Sequence, residues 1–252
     1  MTEAVRNLIY NCCAMEHSEE WLLNVQKLNQ YAGAFTGRKL VILRTGDRIV
    51  EAEQVKKAFS FDVEFIELPN SPSLQEVSGF IEVLSKLENT NVGEKTFYAH
   101  TKGVRYGAGD RNIPAIRLWR DAMYEKCLSD IERVDDVLKT HACCGCFRQK
   151  TCVTSSWDVT WSCPWIFSGS FWWVNNAALF SHPKWRDIVP NSIYATEAYL
   201  GRLFPVEQSF CLADKGVADL YTLGQKSSTT ASGKPKRPSS RIRNSRWSVS
   251  NT

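Results

Sequence analysis

No apolar run in the 252-residue chain approaches the roughly 18–20 residues of a membrane span. The first residues, MTEAVRNLIYNCCAMEH, lack the basic start and long apolar centre of a signal peptide, so a cytoplasmic location is expected. Neither G-x-x-x-x-G-K-[ST] nor G-x-G-x-x-G occurs, which excludes a Walker-type P-loop and the dinucleotide fingerprint. No internal repeat is present. The nine cysteines are odd in number, and Cys12-Cys13 and Cys143-Cys144 sit in apolar runs, so reduced thiols are expected in place of a secreted disulfide framework. Cys143, Cys144, Cys146, Cys152 and Cys163 lack the two C-x-x-C pairs of a zinc ribbon and read as buried strand residues. Acid is absent from residues 225–252, which hold Lys226, Lys234, Lys236, Arg237, Arg241, Arg243 and Arg246. The formal net charge of +4 therefore leaves residues 1–224 at −3, which excludes the broad basic surface that duplex DNA requires.

What the chain does have is core: 43% hydrophobic and 12% aromatic residues suffice for one large domain, expected over 1–224. The Ser, Thr, Lys, Arg and Pro composition of 225–252 reads as a disordered basic tail, able to contact anionic surfaces or nucleic acid. Short apolar runs at 6–14, 39–46, 63–68 and 95–100 predict buried strands, with helical spacing at 18–31 and 73–87 and a short helix at 55–61 between them. Such an alternation implies an α/β fold with a mainly parallel central sheet flanked by helices. Pro114 opens a long helical stripe through Ile116, Trp119, Met123, Cys127, Ile131, Val134 and Leu138. A strand at 141–147, helices at 175–181 and 195–204, and a last strand at 217–223 complete the expectation.

Three stretches point to chemistry. The fourth strand delivers His100, Thr101, Lys102 and Gly103 to its carboxyl end, where parallel sheets bind ligands, and the loop 102–109 adds Arg105, Gly107 and Gly109. Basic groups beside glycines suit a phosphate-bearing ligand. In FSGSFWWVNNAAL, the polar turn Ser168-Gly169-Ser170 leads into Phe171, Trp172 and Trp173, a mixture suited to stacking and hydrogen bonding a sugar. Glu197, in ATEAYLGRLF, shares a helical face with Gly201 and lies one turn from Tyr194, as a general base or a salt-bridged glutamate.

The order FYAHTKGV, WRDAMYE, FSGSFWWV, ATEAYLGRLF, over about residues 6–205, resembles a group of small glycosyltransferases of the GT-A fold, a Rossmann-related architecture. The resemblance implies a nucleotide-diphosphate sugar donor at the carboxyl ends of the first strands. Asn11, Arg44, His100, Lys102, Gly103 and Arg105 would bind it, and Ser168, Gly169, Ser170, Trp172 and Trp173 would face the sugar or the hydroxyl-bearing acceptor. Glu197 would be the base, with Asp158 in reserve. The Asp-x-Asp motif that usually holds manganese or magnesium in GT-A enzymes is absent, and Glu51-x-Glu53 and Asp62-x-Glu64 fall in the wrong places. Divalent-metal dependence is thereby in doubt, and Lys102 and Arg105 are the expected substitutes at the departing diphosphate. A non-catalytic glycan-binding module and a glycosyltransferase with a nucleic-acid acceptor are the competing readings.

Overall fold

A computed structural model describes residues 4–88, 93–156, 159–188 and 193–213, with the backbone alone over 151–162. The expected strand at 217–223, the boundary at 224, the tail and Asp158 lie outside the described residues.

The apolar runs form β1 (Arg6–Cys12), β2 (Lys39–Thr45), β3 (Glu64–Pro69) and β4 (Lys95–His100), joined by α1 (Glu20–Asn29), α2 (Ala52–Lys56) and α3 (Phe80–Ser85). After β4 come α4 (Ile113–Leu128), α5 (Ile131–Thr140), β5 (Cys143–Cys146), β6 (Arg148–Ser156), β7 (Val159–Phe167), β8 (Trp172–Asn175), α6 (Asn176–Ser181), α7 (Ala195–Leu203) and β9 (Ser209–Ala213). Seven strands make one sheet in the order β3-β2-β1-β4-β8-β5-β9, while β6 and β7 form a separate hairpin. Only β8 runs against its neighbours, so the fold is α/β with a mainly parallel sheet, as expected.

Helices cover both faces of the sheet. On one face, Leu8, Tyr10, Phe97 and Cys144 pack with Trp21 and Val25 of α1 and Met123 and Cys127 of α4. On the other, Ile9, Ile42, Tyr98 and Cys143 pack with Phe80 of α3 and Tyr199 of α7. Side chains alternate between faces along a strand, and both faces here are core, so consecutive strand residues are buried together. Cys143 and Cys144 therefore lie on opposite faces and cannot share one metal ion.

Three helical expectations need correction, the first being that the short helix expected at 55–61 lies at Ala52–Lys56. The 73–87 segment is a 3₁₀ turn at Gln75–Val77 followed by α3, because Gln75 (φ 48°) and Gly79 (φ 72°) adopt left-handed backbone that no helix continues. The stripe beginning at Pro114 is two helices, since Asp130 leaves the helical conformation and its carboxylate accepts from the Arg133 N–H to cap α5. Among the described residues no helix is long and apolar enough to cross a membrane.

Candidate active site

The strands β1 and β2 lead outward in one direction and β4 lies on the opposite side of β1, so the order reverses between β1 and β4. Crevices form at such a reversal, beyond the carboxyl ends of the strands. A cavity of about 420 Å³ stands there, lined among others by Asn11, Arg44, Glu76, His100, Lys102, Trp119, Tyr194 and Glu197.

Its floor is fixed by the segment that leaves β4. The Thr101 N–H donates to the Asn11 carbonyl (3.0 Å), and the Thr101 hydroxyl oxygen accepts from the Cys13 N–H (3.0 Å), which ties the end of β4 to that of β1. From α1, Asn24 grips Lys102 twice: its Nδ2 donates to the Lys102 carbonyl (2.9 Å) and its Oδ1 accepts from the Lys102 N–H (3.1 Å). Gly103 packs against Ile116, whose methyl would lie 2.7 Å from a Cβ placed there. The half-buried Lys102 side chain crosses the Trp119 ring, with Nζ 3.7 Å from the centroid. Burial pushes its ammonium below the usual lysine range, opposed by Glu197 and Glu76. Arg105 is exposed at the rim, and its guanidinium donates to the Tyr106 hydroxyl (2.8 Å).

Two carboxylates face this cavity. Glu76, 11% exposed, takes hydrogen bonds from the Ser170 hydroxyl (2.9 Å) and the Thr196 hydroxyl and pairs with His100 Nδ1 (2.8 Å). Burial alone would raise its pKa, but the His100 charge and the three hydrogen bonds outweigh it and hold the carboxyl at about 2. Glu197, half-buried on the first turn of α7, accepts from the Gly169 N–H (2.8 Å). Burial pushes Glu197 above the usual carboxylate range, reinforced by Glu76 and opposed by Lys102, Gly169 and His100. One carboxyl is thus held below and the other pushed above the usual carboxylate range, a divergence of the kind that acid–base sites use.

The turn Ser168-Gly169-Ser170 joins the two. The Gly169 N–H meets Glu197, the Gly169 carbonyl meets His100 Nε2 (3.0 Å) and the Ser170 hydroxyl meets Glu76. Both ring nitrogens of His100 are engaged, Nδ1 by Glu76 and Nε2 by the Gly169 carbonyl. Gly169 (φ 95°) and Ser170 (φ 57°) are left-handed, and Met123 Sδ would lie 2.7 Å from a Cβ at 169, so this geometry requires glycine there. Ser168 is buried and accepts from Gln149 (3.3 Å). The turn was expected to meet sugar; its polar groups hold the carboxylates and the histidine.

Two expected site residues, Trp172 and Trp173, stand away from the cavity, and two others, Asn11 and Arg44, line it with their polar groups already engaged. Trp172 and Trp173 are each 0% exposed, so neither indole offers a face to a sugar. They belong to β8, in the middle of a sheet covered on both sides; Trp172 stacks with Tyr98 and Trp173 donates to the Cys127 carbonyl (2.9 Å) on the opposite face. Arg44, 1% exposed, donates to Asn11 Oδ1 (3.1 Å) and to the Ser78 carbonyl (2.6 Å), while Asn11 Nδ2 donates to the Glu76 carbonyl (3.1 Å). These two residues border the cavity, but their polar groups clamp the backbone of 76–78 and so seat Glu76. Glu76 itself is the residue that sequence reasoning missed.

The donor set does not fit a divalent cation of the kind the resemblance implies. Where such a site would need free oxygens at the end of β4, the chain places an ammonium, and both Glu76 oxygens are already bonded. Among the described residues no group of three His, Cys, Asp or Glu side chains is arranged to hold a metal.

No protein-family model and no curated protein matches the sequence. Among solved structures, 4-diphosphocytidyl-2C-methyl-D-erythritol synthase is similar at a TM-score of 0.44 and 12% identity, over 85% of this chain and 90% of that chain.

Proposed function

We propose that the chain is a glycosyltransferase that moves a sugar from a nucleotide-diphosphate sugar to a hydroxyl acceptor. The observation that carries this reading is the gathering of a cationic strand-end loop and two carboxylates of opposite tuning around one cavity. In the proposed step the acceptor oxygen attacks the anomeric carbon, and the bond from that carbon to the diphosphate oxygen breaks. The bonding electron pair leaves on the diphosphate, opposite Lys102 and Arg105, and the hydroxyl proton passes to Glu197. Glu76 stays ionised and holds His100 and the 169–170 turn, which in turn aims Glu197. Trp172 and Trp173 are buried and so contribute no exposed indole to a glycan-binding module.

A thermal-shift panel of nucleoside diphosphates and nucleotide sugars tests the reading. A true donor at a hundredfold its dissociation constant adds about 2.7 kcal/mol of stability. A panel in which no nucleotide sugar shifts the transition contradicts it.

A further inference from the structure

We propose that the Lys102 ammonium is the resident cation for a diphosphate in the cavity, so that nucleoside diphosphates bind this chain without a divalent metal ion. The identity of the diphosphate rests on the nucleotide-sugar reading; the anion site does not.

Among the described residues the Lys102 ammonium makes no hydrogen bond or ion pair, although it lines the cavity and lies against Trp119. An indole face attracts a cation but gives it no directional acceptor, so its three N–H groups remain to be satisfied. Burying an ammonium without an anionic partner is costly, and a multiply charged oxyanion removes that cost. The backbone of Lys102 is held from both sides by Asn24 and the following turn packs on Ile116, so the charge is placed before any ligand arrives. Glu76 is spent on His100, Ser170 and Thr196, and Glu197, whose Oε1 accepts from Gly169, attracts the ammonium through its charge but makes no ion pair or hydrogen bond with it. A metal ion drawing on Glu76 would have to take oxygens from those three partners. Arg105 borders the same cavity from the rim, within the loop that Lys102 opens, and supplies a second cation for the second phosphate.

The test is calorimetric titration of the full chain with UDP, GDP, ADP, CDP, TDP and inorganic pyrophosphate in EDTA, repeated for the nucleotides with manganese, on the parent, Lys102→Met and Lys102→Arg. The methionine keeps the length and the contact with Trp119 but not the charge, and the arginine keeps the charge. The expected result is binding of a nucleoside diphosphate in EDTA that manganese leaves nearly unchanged, weakened roughly 10- to 150-fold by Lys102→Met and largely kept by Lys102→Arg. Binding that appears only with manganese overturns the proposal, as does a folded Lys102→Met that binds like the parent. If Lys102→Met fails to fold, the comparison of EDTA with manganese on the parent still decides. Lys102-dependent binding of pyrophosphate with no nucleoside diphosphate bound upholds the anion site and sinks the nucleotide-sugar reading. Absence of any anion binding sinks both.

Discussion

Lowering the pH should loosen the fold through one side chain, Glu76. Its carboxyl is held at about 2 in the folded protein against an ordinary 4.5. A carboxyl with a depressed folded pKa contributes stability that is present above the unfolded value and lost as pH falls toward the folded one. The window therefore runs from about pH 5 down to about pH 2, and at about 1.36 kcal/mol per pKa unit the contribution is on the order of 3 kcal/mol. That is a large share of the roughly 5–15 kcal/mol by which domains are stable. Glu76→Gln keeps an acceptor for Ser170 and Thr196 but removes the charge that His100 pairs with, and it cannot titrate. Urea denaturation of both proteins at pH 7, 5, 4 and 3 reads the effect of Glu76 together with its coupling to Glu197, because carboxylates remote from it contribute equally to each. The gap between parent and variant should be widest at pH 7 and shrink steadily below pH 5. A gap that stays constant from pH 7 to pH 3 refutes the ion-pair account of Glu76.

Glu197→Gln should lower turnover by roughly 10²–10⁴-fold with donor affinity nearly unchanged. Because burial raises the Glu197 pKa and a base works only when deprotonated, parent activity should fall as pH drops through a value above the ordinary 4.5, a limb visible in the pH profile of kcat. Gly201→Ala should cost about 1–3 kcal/mol in chemical denaturation, since a Cβ there meets the Trp165 carbonyl and forces α7 off β7; turnover should fall with it because α7 carries Glu197. Trp173→Ala should cost about 3–5 kcal/mol of stability as a core truncation. Loss of ligand affinity with unchanged stability in that variant would return Trp173 to the binding surface.

The parallel half of the fold was legible because buried strands between covering helices read as continuous apolar runs, and 6–14, 39–46, 63–68 and 95–100 are such runs. The loop after the fourth strand followed from the same logic, and the structure brings His100, Lys102, Gly103, Arg105 and Glu197 to one cavity. Glu76 escaped because 73–87 reads as one helix by its apolar spacing, and nothing in that spacing marks its carboxylate. The left-handed Gln75 and Gly79 break that helix and turn the carboxylate inward, and only Gly79 is a sequence hint of this. Trp172 and Trp173 misled for the opposite reason. Consecutive aromatics suggest an outward-facing ring only when one side of a sheet meets water, and β8 has core on both sides. The resemblance implied Arg44 as a donor ligand, yet its guanidinium donates to Asn11 and the Ser78 carbonyl. Which cations are spent internally depends on tertiary contacts that residue type does not encode.

The most direct test of the central claim is release of nucleoside diphosphate from a panel of nucleotide sugars, measured in EDTA for the parent and for Glu197→Gln. The account predicts steady release from one donor by the parent, through transfer to an added hydroxyl acceptor or to water, and a loss of roughly 10²-fold or more in the variant. Donor bound by both proteins and released equally by both, or no release from any donor by the parent, contradicts it.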